Sequence, residues 1–264
     1  MDVLYDRIGS GYDVTRKPDP YLLSRLLDLL GPEAGGRYVD VACGTGNYSL
    51  SLAAAGVRIT GFDVSMEMIA SAKSKTAPSA HEGWLVADVS DTPFETGAFA
   101  GATCTLAIHH FPDLPAAFRE VGRIVAADDG RFVIFTSTPE QMERYWLNHY
   151  FPDMLRRSAQ QMPDLDGMRS ALSAAGFSRV ATEVYSVSPR LEDLFLYSGK
   201  HRPSLYLDPG FLAGISSFAN LAEPEELERG LAKLARDVEA GAIDDVIRSA
   251  HYEDGDYLFV CASR

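Results

Sequence analysis

Short β-prone runs alternate with helical runs along most of this chain, and that alternation constrains the fold more than any other feature. Apolar, β-rich stretches fall at 38–42, 58–62, 84–88, 102–108, 132–137, 180–187 and 257–262. Helical patterns at 49–55, 65–72, 114–126 and 167–175 fit between them, the last stopping at Gly176 as a C-terminal cap. A further helix at 21–30 comes first, with Leu22, Leu23, Leu26, Leu27 and Leu30 at helical spacing between Pro18-Asp19-Pro20 and Gly31-Pro32. Strands separated by helices pair in parallel through right-handed crossovers, so the expected fold is α/β, a Rossmann-like, doubly wound sheet of seven strands.

Two stretches break the rhythm. One, at 140–166, is rich in aromatic residues, including Tyr145, Trp146, His149, Tyr150 and Phe151. The other, at 188–252, reads as mostly helical and separates the sixth and seventh strands by 65 residues. A hairpin joining two strands needs only about 2 to 5 residues, so a connection of this length is expected to have work beyond linkage.

Charge and cysteine usage exclude several classes of function. Among 264 residues, 24 Lys and Arg face 37 Asp and Glu, a net charge of −13 that repels phosphate backbones and anionic membranes. Neither a nucleic acid nor a membrane is therefore an expected partner. Cys43, Cys104 and Cys261 are far apart and form no CxxC pair, so no disulfide framework or metal site is expected, and the thiols read as residents of a reducing compartment. The segment MDVLYDRIGSG places Asp2, Asp6 and Arg7 where a secretory signal needs apolar residues, and no run approaches the roughly 18 apolar residues of a membrane span. The expectation is a soluble, cytoplasmic protein.

The most informative stretch is Tyr38-Val39-Asp40-Val41-Ala42-Cys43-Gly44-Thr45-Gly46-Asn47-Tyr48, a strand carrying one acid that runs into a glycine-rich turn and a helix. Small residues there let a ligand approach the backbone beside the free N–H groups of a helix start, although a GxG after a strand also serves as a plain tight turn. Asp63, twenty-three residues after Asp40, ends the second strand, where a carboxylate can take both hydroxyls of a ribose. Asp88 ends the third. Any one of these acids could be a helix cap; three consecutive strands delivering a carboxylate to one sheet edge point to a nucleotide-like ligand.

With these motifs the sequence resembles the class I S-adenosylmethionine-dependent methyltransferases, across residues 1–187 and the last strand. VDVACGTGNYS is similar to the family's first motif, with Ala42 where many members have glycine. The resemblance implies a last strand antiparallel to the rest, S-adenosylmethionine as cofactor, and a binding set of Tyr12, Arg16, Asp40, Ala42, Cys43, Gly44, Gly46, Asp63, Val64, Met68, Asp88, Val89 and Leu106. In it Asp40 lies near the methionine moiety, Asp63 binds the ribose, and Asp88 with Val89 holds the adenine. The segment from Tyr5-Asp6 to Arg16 resembles a helical flap that folds over the cofactor in a small-molecule branch of the family, Tyr12 packing on it and Arg16 approaching its carboxylate. A nicotinamide-dependent oxidoreductase is the main alternative, because GTGNYS nearly spells GxGxxG. Ser49 replaces its third glycine, however, and Asp40 stands in a strand that dinucleotide binders keep apolar, beside a helix start whose positive end a pyrophosphate needs. A catalytically silent, methyltransferase-like ligand-binding protein is the other.

Beyond the fourth strand, His109 and His110 are candidate catalytic residues, able to take a proton from the acceptor near neutral pH, or to orient the loop. The remaining histidines are scattered and suggest no metal. Because the sixth strand exits at the ligand-binding edge, 188–252 is expected to cap a methyltransferase domain formed by 1–187 and 253–264. Tyr197, Lys200, Arg202 and Tyr206 in this cap, with Trp146, His149 and Tyr150, are the candidate contacts to a small-molecule acceptor, methylated at oxygen, nitrogen or carbon. Core packing and snorkelling explain such residues equally well.

Overall fold

The computed structural model describes residues 12–76, 83–250 and 252–264. Seven strands, β1 (Arg37–Val41), β2 (Arg58–Asp63), β3 (Gly83–Val86), β4 (Gly101–Thr105), β5 (Arg131–Thr136), β6 (Arg179–Tyr185) and β7 (Tyr257–Ser263), form one sheet in the order 3-2-1-4-5-7-6. The first five run parallel, and β7 lies antiparallel between β5 and β6. The order reverses between β1 and β4, and a sheet of this type opens a crevice above the carboxyl ends of its strands at that point.

Apolar strand residues alternate between two cores. Val39, Val41, Phe62, Phe132, Ile134 and Val260 face α5 (Leu114–Ile124) and α8 (Leu165–Ala174). Tyr38, Ile59, Val133, Phe135 and Phe259 face α2 (Pro20–Leu30), whose Leu22, Leu26 and Leu30 recur at helical spacing. The chemistry at both ends of α2 follows the sequence: the Asp19 carboxylate accepts from the Tyr21 and Leu22 amides, and Gly31 closes the helix at φ +56°. On the other side of the reversal α3 (Asn47–Ala54) joins β1 to β2 and α4 (Met66–Lys75) joins β2 to β3.

The two stretches that break the alternation are helical and share the second core. One comprises α6 (Pro139–Glu143), a 3₁₀ turn at Trp146–His149 and α7 (Pro152–Gln161). The other comprises a 3₁₀ turn at Pro203–Leu207, then α9 (Pro209–Ala213), α10 (Ser216–Leu221), α11 (Pro224–Glu239) and α12 (Ile243–Ser249). Tyr145 stacks on Tyr197 with centroids 3.7 Å apart, Trp146 meets Tyr206 edge-on at 5.6 Å, and Phe151 meets Phe218 edge-on at 5.1 Å. Asp256, fully buried, ties the cap to the sheet by accepting from the Val187 amide, Tyr252 Oη and Lys200 Nζ.

Several strands end earlier than their apolar runs suggest, β4 and β3 with consequences for the site. The run at 102–108 is strand only to Thr105, because Leu106 turns into the left-handed region at φ +52° and Ile108–His110 winds into a 3₁₀ turn. The run at 84–88 is strand only to Val86; Asp88 sits beyond it in a loop bridge to Asp91. Ala42, just past β1, has the same left-handed backbone, φ +52°, in which a Cβ costs about 1–2 kcal/mol. Strained non-glycine residues thus end both strands flanking the point of reversal, a placement that recurs at functional sites.

Candidate functional site

A cavity of about 300 Å³ opens above the reversal point. Its floor is the end of β1 and the glycine turn, with Asp40, Ala42, Cys43 and Gly44; Asp63, Val64 and Met68 follow from β2 and α4. Asp88, Val89, Leu106 and His110 line it from the next two strand ends, and Arg16 from the N-terminal side. Most of the residues expected to bind a cofactor are thus brought together.

Each carboxylate has a distinct setting. Asp40 is buried and accepts from the hydroxyls of Ser49 and Thr103, yet desolvation dominates and pushes its carboxyl up to about 6. Ser49, standing where a dinucleotide motif has its third glycine, is therefore the partner of the strand acid. Asp63 is fixed by the Gly44 amide on Oδ2 and the Ser65 amide on Oδ1, both at 2.9 Å, so one acid joins the glycine turn to the start of α4. Asp88 is exposed and takes both the amide and hydroxyl of Ser90 on Oδ1, which hold its carboxyl below the usual range. Its Oδ2 accepts no bond from the described residues.

Gly44 has φ +56°, and the direction of an added Cβ is open, which suits a backbone passing close under a ligand. Gly46 corrects the expectation that it too lines the cavity. It lies outside the wall, with φ +75°, and an added Cβ would come within 2.1 Å of the Trp84 ring, so its role is to let the turn pack on β3.

The short helix α1 (Tyr12–Thr15) is fastened over the glycine turn. Asp13 accepts from Thr45 Oγ1 at 2.6 Å, Asn47 Nδ2 at 2.9 Å and Lys75 Nζ at 2.7 Å, while Asn47 also donates to the Arg16 carbonyl. Arg16 in turn donates from Nε to Asp193 Oδ1 at 2.6 Å and from Nη2 to Oδ2 at 3.3 Å. The Asp193 side chain, 1% exposed, comes from the cap, lines the cavity and also accepts from Tyr48 Oη at 3.1 Å. Sequence reasoning missed it, because Glu192-Asp193 reads as an ordinary acidic pair. The segment from Tyr5 to Asp6 and the side chain of Tyr12 lie outside the described residues.

A second, smaller cavity of about 70 Å³ abuts the first, sharing Arg16 and Leu106. His109, Phe195, Leu196 and Gly214–Ser217 contribute to its wall, so residues from 188–252 stand beside the turn that follows β4. The two histidines therefore face different spaces, His110 the first cavity and His109 the second, with rings 3.9 Å apart. Burial, then the neighbouring His110 and Arg16, push His109 well below its usual value, and burial brings His110 down to about 4.

The expected acceptor contacts are elsewhere. Tyr197 and Tyr206 are buried in the aromatic core, and Trp146 donates from Nε1 to the Lys200 carbonyl. Lys200 is held 2.9 Å from both oxygens of Asp256, and Arg202 donates to the Leu191 carbonyl. Tyr150 donates to Asp237, and His149 meets Lys233 on the outer surface. None of the seven lines either of these cavities: the cluster around Lys200 fastens 188–252 to the sheet, while Trp146 and His149 line a third cavity of about 590 Å³ with Arg144, Val246 and Tyr252.

No helix among the described residues is long and apolar enough to cross a membrane. The methyltransferase domain family matches residues 39–134. Among solved structures, a protein assigned as a methyltransferase from an antibiotic biosynthesis pathway of Anabaena variabilis superposes with a TM-score of 0.84 at 31% identity, covering 95% of this chain and 99% of that one. The ubiquinone/menaquinone biosynthesis C-methyltransferase UbiE of Geotalea daltonii is 34% identical over 183 residues, 65% of this chain and 75% of its own. The demethylmenaquinone methyltransferase of Clavibacter sepedonicus is 27% identical over 208 residues, 68% of this chain and 83% of its own.

Proposed function

This chain belongs to the class I S-adenosylmethionine-dependent methyltransferases, and we propose that it methylates an oxygen, nitrogen or carbon of a small-molecule acceptor. The observation that carries this reading is the pair of abutting cavities, one fitted to the cofactor and one beside it for the acceptor. The residues of the first fit S-adenosylmethionine: an open space at Gly44, Asp63 fixed at the end of β2, Asp88 Oδ2 without a bond from the described residues, and a guanidinium at the wall. When bound, S-adenosylmethionine supplies a methyl group on a sulfonium already activated for attack.

In this reading Asp63 accepts from the ribose hydroxyls, Asp88 from the adenine amino group, and Arg16 meets the carboxylate, with Asp193 aiming it. Residues 188–252 act as a cap on the domain made by 1–187 and 253–264, and exclude water from the second cavity. Both histidines stay neutral at pH 7, and bases weakened by burial in this way take a full proton poorly. They therefore orient the acceptor and cofactor, while in-line placement in a dry site supplies most of the rate. The name of the UbiE relative, a C-methyltransferase, speaks for carbon as the accepting atom.

Calorimetry with S-adenosylmethionine tests the assignment. Asp63→Ala should weaken binding roughly 10- to 100-fold, the loss of charge-assisted hydrogen bonds. Unchanged affinity in a folded variant would remove the ribose role from Asp63. Labelled cofactor incubated with a metabolite extract then identifies the methylated product.

A further inference from the structure

The second cavity is unusual in how its polar groups are used. Leu106, Met142, Met162, Phe195, Leu196 and Ile215 give it apolar walls. Among its described lining residues there is no Asp, Glu or Lys, and its guanidinium, Arg16, is engaged by Asp193. The wall hydroxyls are also spoken for. Tyr145 Oη donates to the Asp256 carbonyl at 2.7 Å and lies 3.3 Å from Ser137 Oγ, while Ser158 and Ser217 bond each other at 2.9 Å. Tyr257 Oη accepts from the Tyr197 amide.

His109 is different. Apart from Ser216 in the first turn of α10, it is the polar lining side chain with no partner: neither ring nitrogen bonds a described residue, and Nδ1 is buried. Nδ1 is sealed off even from water, which leaves Nε2, equally without a bond from a described residue, to meet what enters the cavity.

Building on the methyl-transfer reading, we propose that the acceptor enters the second cavity as an uncharged, largely apolar group carrying a hydroxyl, which donates its hydrogen bond to His109. A carboxylate or phosphate there would find Arg16 already taken up by Asp193 and, in the methyl-transfer reading, by the cofactor's carboxylate, and no second cation stands among the described lining residues. An ammonium would find no carboxylate among the lining residues. The site selects by accepting one hydrogen bond and refusing charge of either sign.

Four small aromatic probes test this: phenol, toluene, benzoate and benzylammonium, measured by ligand-observed NMR on the full chain with S-adenosylhomocysteine present. Phenol should bind roughly tenfold more tightly than toluene, the worth of one net hydrogen bond, and the two charged probes should not bind. In His109→Phe, phenol should fall to the level of toluene while toluene is unchanged. Benzoate or benzylammonium binding as tightly as phenol overturns the proposal, as does an intact phenol preference in His109→Phe; the wild-type series decides even where the variant does not fold. Calorimetry with S-adenosylhomocysteine alone separates the two levels. No binding of it defeats the methyl-transfer reading, whereas its binding without phenol binding defeats only the proposal about the acceptor.

Discussion

Lys200→Met should destabilise the protein by about 3 kcal/mol while leaving both cavities untouched. Lys200 Nζ lies 2.9 Å from each oxygen of Asp256, and the side-chain exposures are 19% and 0%. Removing one partner of a buried ion pair costs about 3–5 kcal/mol, because the remaining charge is left uncompensated. Asp256 keeps the Val187 amide at 2.6 Å and Tyr252 Oη at 2.7 Å, which places the loss at the lower end of that range. In a chain of this size that corresponds to a fall in melting temperature of roughly 6 °C or more. Urea unfolding followed by tryptophan fluorescence measures it. The double variant Lys200→Met/Asp256→Asn should recover more than half the loss, since no buried charge then remains alone. The reasoning fails if Lys200→Met loses less than about 1 kcal/mol and instead raises KM for the acceptor, the mark of a substrate contact.

The other perturbations separate roles in and around the cavities. His110→Ala should weaken cofactor binding and His109→Ala should raise the acceptor KM; a drop of about 100-fold in kcat at either, with KM unchanged, would make that histidine a general base. Asp40, pushed up to about 6 from 3.8, binds a proton more tightly folded than unfolded, so its contribution is full only below pH 3.8 and is lost as pH rises through 6. Asp40→Asn removes that loss, and unfolding curves should show the variant gaining on the wild type by about 3 kcal/mol between pH 3 and pH 7; a pH-independent difference refutes it. Gly46→Ala meets both a left-handed backbone and the Trp84 ring, and should cost at least about 2 kcal/mol in denaturant unfolding; a neutral result would mean that the turn repacks.

The sheet was legible because its five inner strands, β1, β2, β4, β5 and β7, are buried on both faces and so read as apolar runs, with α/β alternation fixing the direction of the first five. The acids at strand ends were legible because their spacing follows from one crossover unit. What lay hidden was pairing across long sequence separations. The basic, aromatic cluster around Lys200 suggested an anion site, yet its counter-charge, Asp256, comes 56 residues later. Arg16 finds Asp193 177 residues away, and nothing local distinguishes that acid from a surface one. The end of β4 was misjudged for a different reason: Leu106 takes a backbone angle that glycine usually announces, so the apolar run continued past the turn that places His109 and His110.

The position of β7 carries a consequence for biosynthesis. Its residues are made after the cap, yet they fill the slot between β5 and β6, pairing with six residues of one and seven of the other. Until they emerge, both neighbouring strands present bare edges, and the Asp256 that fastens the cap is also still to come. The nascent chain can therefore assemble its cofactor half early, while the acceptor half waits for the last strand and carries the greater hazard of edge-to-edge association on the ribosome.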